Sequence, residues 1–323
     1  MNRPLPRVCS LHDSTLSACE LAHLLGYNRV YLLGMIGSGR ERVWLGWSLA
    51  YFLLQICTPF VRVPLGWVWV GTLISTLALM AVMLGLVFSL ARWGETHRHA
   101  AIGMFIGGAT AFIVWLLLPS WLGVALQKAP PIWAVPYRAL HGYFLMLAAI
   151  GLGCLLSRLI REKNLLVPVV PFAALVDAIT VLTPMGFVKQ VLERAPRVME
   201  QASVAVMSAP HAAPQVERVV PIVLIGVGDF LFLALYAACL YRFRLRTFAT
   251  AVGLFFTLWV YLVVVMLGIA IALPALVPMA AVVLLVNARE FHLSRQEKWA
   301  SLLVLVPTLA LLVWLLIRGR ASL

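Results

Sequence analysis

A chain of 323 residues that is 63% hydrophobic and only 11% charged, with a mean hydropathy of +0.98, lies far outside the soluble globular range. Its net charge of +13 sits in short basic runs between apolar stretches, with no separate basic module. That pattern argues against a nucleic-acid partner and fits Lys and Arg anchoring helix ends at lipid headgroups.

In chain order, the N-terminal stretch MNRPLPRVCSLHDST lacks the apolar core of a signal peptide. Residues 14–36 mix apolar positions with Glu20, His23, Asn28 and Arg29, and Ser17 with Glu20 fits a capping box. Residues 1–42 are therefore expected to hold an interfacial helix rather than a span. The gaps between charges predict membrane helices at 43–61, 65–91, 100–126, 139–157, 165–183 and 219–241. No charge occurs between Arg246 and Arg289, a run of about 63 Å as helix at about 1.5 Å per residue. It has room for two crossings, the second starting at Pro274 because proline suits a first helical turn. A last span is expected over 300–317. The expected fold is an all-α polytopic membrane protein of about nine transmembrane helices.

Spans 43–183 and 219–323 are separated by the long connection 184–218, whose Ala, Pro, Ser and Val composition suits a mobile segment. Lys and Arg concentrate on the side holding the N-terminus and the loops near 92–99, 158–164, 242–247 and 289–298. The positive-inside rule then puts the N-terminus in the cytoplasm and the long connection on the opposite face. The expected location is the plasma (inner) membrane of a prokaryote.

Two acids, Asp177 and Asp229, are the only charged side chains inside the expected spans. An ionisable group at bilayer depth is costly, so such a pair reads first as a functional site. As helices, the two spans place these carboxylates about 10 Å and about 12 Å below the same membrane face. Close carboxylates cannot both ionise, so they share a proton; one serves as base and the other as acid, the arrangement of aspartic proteases. Proton- or cation-coupled transport uses intramembrane acids too, and depth alone does not separate the two.

Asp229 lies in VLIGVGDFLF. Read as helix, Gly226 at i−3 and adjacent Gly228 clear space beside the carboxylate for a substrate backbone, or for ordinary small-residue packing. Pro274, Ala275 and Leu276 follow at the head of a later span.

An Asp in one span, G-x-G-D in the next and P-A-L heading a later one resembles the presenilin and signal peptide peptidase family of intramembrane aspartyl proteases. GVGDFLF and VDAITVLTPMGFVKQVLERA resemble the presenilin segments most, over about 175–197 and 223–236. The resemblance implies a presenilin-like bundle, Asp177 and Asp229 as the catalytic pair, and Pro274, Ala275 and Leu276 as a loop edge contacting substrate. It also implies that the connection between the catalytic helices holds substrate as an added β-strand. Substrates would be transmembrane proteins or peptides in the lipid bilayer, with no cofactor or metal.

The departures from the family are Val176 where a Tyr usually precedes the first aspartate, and catalytic spans counted fifth and sixth rather than sixth and seventh. The expected orientation also opposes that of presenilin.

Other chemistries find less support. Prepilin peptidases share G-x-G-D but bring a cysteine-rich cytoplasmic segment that this chain lacks. H-E-x-x-H is absent, and Gly37-Ser38-Gly39 lies outside the spans, so metallo- and serine proteolysis are unsupported. Glu95, His97 and His99 suit an interfacial loop better than a metal site, and His141 and His211 show no partner in the sequence. No C-x-x-C occurs; Cys9 and Cys19 lie in the N-terminal segment, and Cys57, Cys154 and Cys239 are expected to pack as small apolar residues.

Overall fold

The computed structural model describes residues 43–61, 63–64, 67–121, 131–182, 190, 194–207, 221–266 and 274–299, with 302–303, 306–307 and 310 beyond. The helices are α1 (Val43–Cys57), α2 (Val68–Thr96), α3 (Arg98–Trp121), α4 (Pro131–Ser157), α5 (Leu166–Leu182), α6 (Pro196–Gln201), α7 (Val227–Arg242), α8 (Thr247–Met266) and α9 (Leu276–Asn287). Strands β1 (Ser203–Met207) and β2 (Pro221–Gly226) pair antiparallel between α6 and α7, with Val204 opposite Ile225 and Ala205 opposite Leu224.

Among the described residues, six helices are long and apolar enough to cross a membrane. The protein is thus mostly helical, as expected of an all-α membrane protein. At the sites of two further expected spans, α7 has 16 residues and α9 has 12. The expected span over 300–317 and the interfacial helix over 14–36 lie mostly or wholly outside the described residues.

Helix α1 is built inside out, as a helix facing lipid must be. Leu45, Leu49 and Leu53 are exposed at i, i+4 and i+8, while Ser48, Tyr51 and Gln55 are buried. The buried polar groups all have partners. Ser48 Oγ lies 3.0 Å from Tyr143 Oη, Tyr51 Oη donates to the Ala139 carbonyl at 3.4 Å, and Gln55 Nε2 donates to the Ala205 carbonyl at 3.1 Å. The last of these pins β1 to the end of α1.

Helix α7 forms the centre, buried on every side from Leu233 to Leu240. Glycines let α4 approach its neighbours. A Cβ on Gly153 would collide with the Leu231 carbonyl of α7 and come 2.9 Å from Ala234 Cβ; one on Gly108 would come 2.6 Å from the Ala148 amide nitrogen.

At the opposite end of the bundle from the strands, polar side chains tie the helix ends together. Arg242 at the end of α7 pairs with Glu95 of α2 at 2.8 Å and donates to the carbonyls of Ser157 and Ile160. Asn287 at the end of α9 is fully buried; it accepts from the Arg246 amide at 3.0 Å and donates to Thr250 Oγ1 at 2.9 Å. The turn from α7 to α8 is a Schellman cap: the Leu245 amide reaches the Leu240 carbonyl and the Arg244 amide the Tyr241 carbonyl. Arg244 fills its left-handed position with φ of 53°, where glycine is usual.

Two expectations change here. The span expected from residue 219 begins instead with β2, and helix starts only at Val227. The run VLIG is apolar enough for either state, and pairing with β1 decides it. In addition, α4 begins at Pro131 rather than 139, taking Arg138 into its first turns.

Candidate active site

Asp177 sits half-buried on α5, three turns from its start. Its Oδ2 accepts a hydrogen bond from the Leu276 amide at 3.0 Å. Leu276 opens α9, so the carboxylate faces the N-terminal end of that helix, where free amides and the helix dipole favour an anion. Pro274 and Leu276 are buried and Ala275 is the N-cap residue. The 274–276 edge is thereby fixed against α5 by the carboxylate itself.

Asp229 occupies the third position of α7, again at a helix start. Gly226 is the N-cap with ψ of 147°, extended rather than helical, and its amide donates back to the Asp229 carboxylate. A third-position acid reaching back to the N-cap amide is half of a capping box. This corrects the expectation that Gly226 shares a helical face with Asp229. A Cβ on Gly226 would lie 3.6 Å from Asp229 Oδ2, whereas one on Gly228 would meet nothing within 4 Å. Gly228 therefore borders open space beside the carboxylate.

The two carboxyl groups lie within electrostatic range of one another. Each is thus held by a backbone amide at a helix N-terminus, one from α9 and one from its own helix. Such amides stabilise negative charge.

No family model, curated protein or solved structure matches the chain.

Sequence reading missed two hydroxyls. Tyr261 of α8 is within electrostatic range of both aspartates, and Tyr236 of α7 within range of Asp177. Tyr236 follows Asp229 by seven residues, two turns along the same helical face, a spacing that flags it in retrospect. Its hydroxyl is buried without a hydrogen-bond partner among the described residues.

Glu95 is engaged by Arg242, and His141 Nε2 lies 2.9 Å from the Gln201 carbonyl, so it does have a partner. Cys154 and Cys239 are buried, whereas Cys57 is exposed at the end of α1. His211, Cys9, Cys19 and Gly37-Ser38-Gly39 fall outside the described residues.

Proposed function

We propose that this chain is an intramembrane aspartyl protease of the presenilin and signal peptide peptidase type, hydrolysing peptide bonds within transmembrane helices. The observation that carries the reading is the approach of Asp177 and Asp229, from two different helices, to within electrostatic range, with the P-A-L amide bonded to the first and the G-x-G-D glycine amide to the second. On this reading the bundle has about nine spans with a presenilin-like arrangement, and it sits in a prokaryotic inner membrane.

The chemistry follows from one shared proton. The ionised carboxylate takes a proton from water as its oxygen adds to the scissile carbonyl carbon, and the protonated carboxyl donates to the carbonyl oxygen. Collapse of the tetrahedral intermediate breaks the C–N bond, with the nitrogen taking a proton as the roles exchange. No metal or cofactor enters these steps.

A helical substrate hides its amides, so the bond to be cut must first be drawn out straight. Strand β2 runs directly into the site and, among the described residues, pairs on one edge only, so that its other edge suits an extended segment. Gly226 and Gly228 leave space where that segment reaches Asp229.

The test is cleavage of a single-span substrate by purified protein in liposomes, with products identified by mass. Cleavage by the wild type that is abolished in both Asp177→Asn and Asp229→Asn supports the dyad; cleavage surviving either change sinks it. Solute flux in sealed vesicles with substrate left intact would favour the coupled transporter that the same two acids also suit.

A further inference from the structure

Away from the aspartates, three turns at the other end of the bundle are tied into one surface. Arg242 bonds the Ile160 carbonyl, Arg246 pairs with Glu290 at 3.1 Å, and Asn164 Nδ2 donates to the His292 carbonyl at 3.1 Å. Segments 158–165, 242–248 and 287–299 therefore hold fixed positions relative to one another. Of their three acids, Glu290 is engaged by Arg246 and Glu297 by Ser294, while Glu162 is exposed beside Arg161. Arg161, Arg244, Arg289, Arg295 and Lys298 are exposed and enter no ion pair among the described residues.

Positive charge at a membrane face is ordinary. Two features here go beyond it. Arg244 stands at the left-handed position of the Schellman cap, where an L side chain costs backbone energy and glycine costs least. An arginine there roots its side chain at a fixed point of the turn. Each segment also carries a large exposed apolar side chain close in the chain to its exposed cations: Leu159 (73% exposed) two residues before Arg161, Phe248 (82%) four after Arg244, and Trp299 (74%) adjacent to Lys298. A soluble anion has no use for that apolar rim. A phospholipid does, since its acyl chains need apolar contact immediately below its phosphate.

We propose that the three tied turns form a binding surface for anionic phospholipid, with Arg161, Arg244 and Arg289 facing the headgroup phosphate and Leu159 and Phe248 the upper acyl chains. This surface is independent of the aspartates and of the proteolytic reading.

The experiment uses the purified full chain in a neutral detergent, measuring unfolding temperature against added phosphatidylglycerol, phosphatidylcholine or inorganic phosphate. Phosphatidylglycerol is expected to raise the unfolding temperature saturably, and the other two to leave it unchanged. Arg244→Gly relieves the backbone and so keeps the fold, while Arg289→Gln changes only an exposed side chain. Each is expected to weaken the apparent affinity for phosphatidylglycerol about fivefold, as expected for one cation at an anionic surface. Equal stabilisation by phosphatidylcholine, an equal shift from inorganic phosphate, or unaltered affinity in both variants would overturn the proposal.

Discussion

The amide of Leu276 donates to Asp177 Oδ2 across 3.0 Å, joining residues that lie far apart in the chain. The bond links α5 to the start of α9 through a backbone group that, of the substitutions at 276, only proline removes. Asp177→Asn keeps an acceptor oxygen, whereas Asp177→Ala leaves the amide unpaired. Hydrogen exchange at Leu276 is expected to rise only slightly in the first, whose neutral acceptor keeps a weaker bond, and to accelerate at least about tenfold in the second, the equivalent of one charge-assisted bond. Equal exchange in both variants would show that the bond does not hold in solution.

Gly228 lies in the first turn of α7 with open space where a Cβ would point. Gly228→Ala is expected to stabilise the folded protein by up to about 1 kcal/mol, since alanine is the better helix former. Cleavage of a transmembrane substrate is expected to fall at the same time, through KM. A variant that gains stability with unchanged KM would place Gly228 outside the substrate path.

Gly153 is the reverse case. A Cβ there would run into the Leu231 carbonyl, which is backbone and cannot swing aside. Gly153→Ala should force α4 and α7 apart and cost about 1–3 kcal/mol or more, read as a lower unfolding temperature. An unchanged temperature would contradict this helix crossing.

Tyr236→Phe removes a buried hydroxyl that has no partner among the described residues. Deleting such a group is expected to be neutral or slightly stabilising, since an unpaired buried polar atom carries a desolvation cost of about 1–3 kcal/mol. A clear loss of unfolding temperature would instead reveal a bridging water between Tyr236 and its surroundings.

Ser294 and Glu297 form a reciprocal capping box, with Glu297 Oε2 accepting from the Ser294 amide at 2.7 Å and Ser294 Oγ from the Glu297 amide at 3.2 Å. The Ser294 bonds hold the Glu297 carboxyl below the usual range for glutamate. Its contribution is therefore full above the ordinary value of about 4.3 and is lost as pH falls through the lowered one. Fluorescence anisotropy of Trp299, in an otherwise Trp-depleted variant, should fall across that acid range and be pH-independent in Glu297→Gln.

Much of the membrane architecture was legible because lipid purges charge. The gaps between Arg and Lys located the helices now seen at α1 to α5 and α8, and the same purge made Asp177 and Asp229 stand out. The hairpin was not legible. SVAVM and PIVLIG are short and apolar, and without a long period such runs read equally as strand, loop or span. Their state is set by long-range contacts: Gln55 of α1 on the Ala205 carbonyl, and Val204 buried against Gly142 of α4. Tyr261 escaped notice for a related reason, since only the packing of α8 brings it towards the aspartates.

Strand β2 ends at Gly226 and α7 begins at Val227, with no spacer between them. Sheet pairing and carboxylate direction therefore share one count along the chain. Adding or deleting a single residue between Ile225 and Asp229 would turn the carboxylate about 100° around the helix axis while leaving every earlier strand partner in place. This stretch should accept substitutions of side chain far more readily than any change of length.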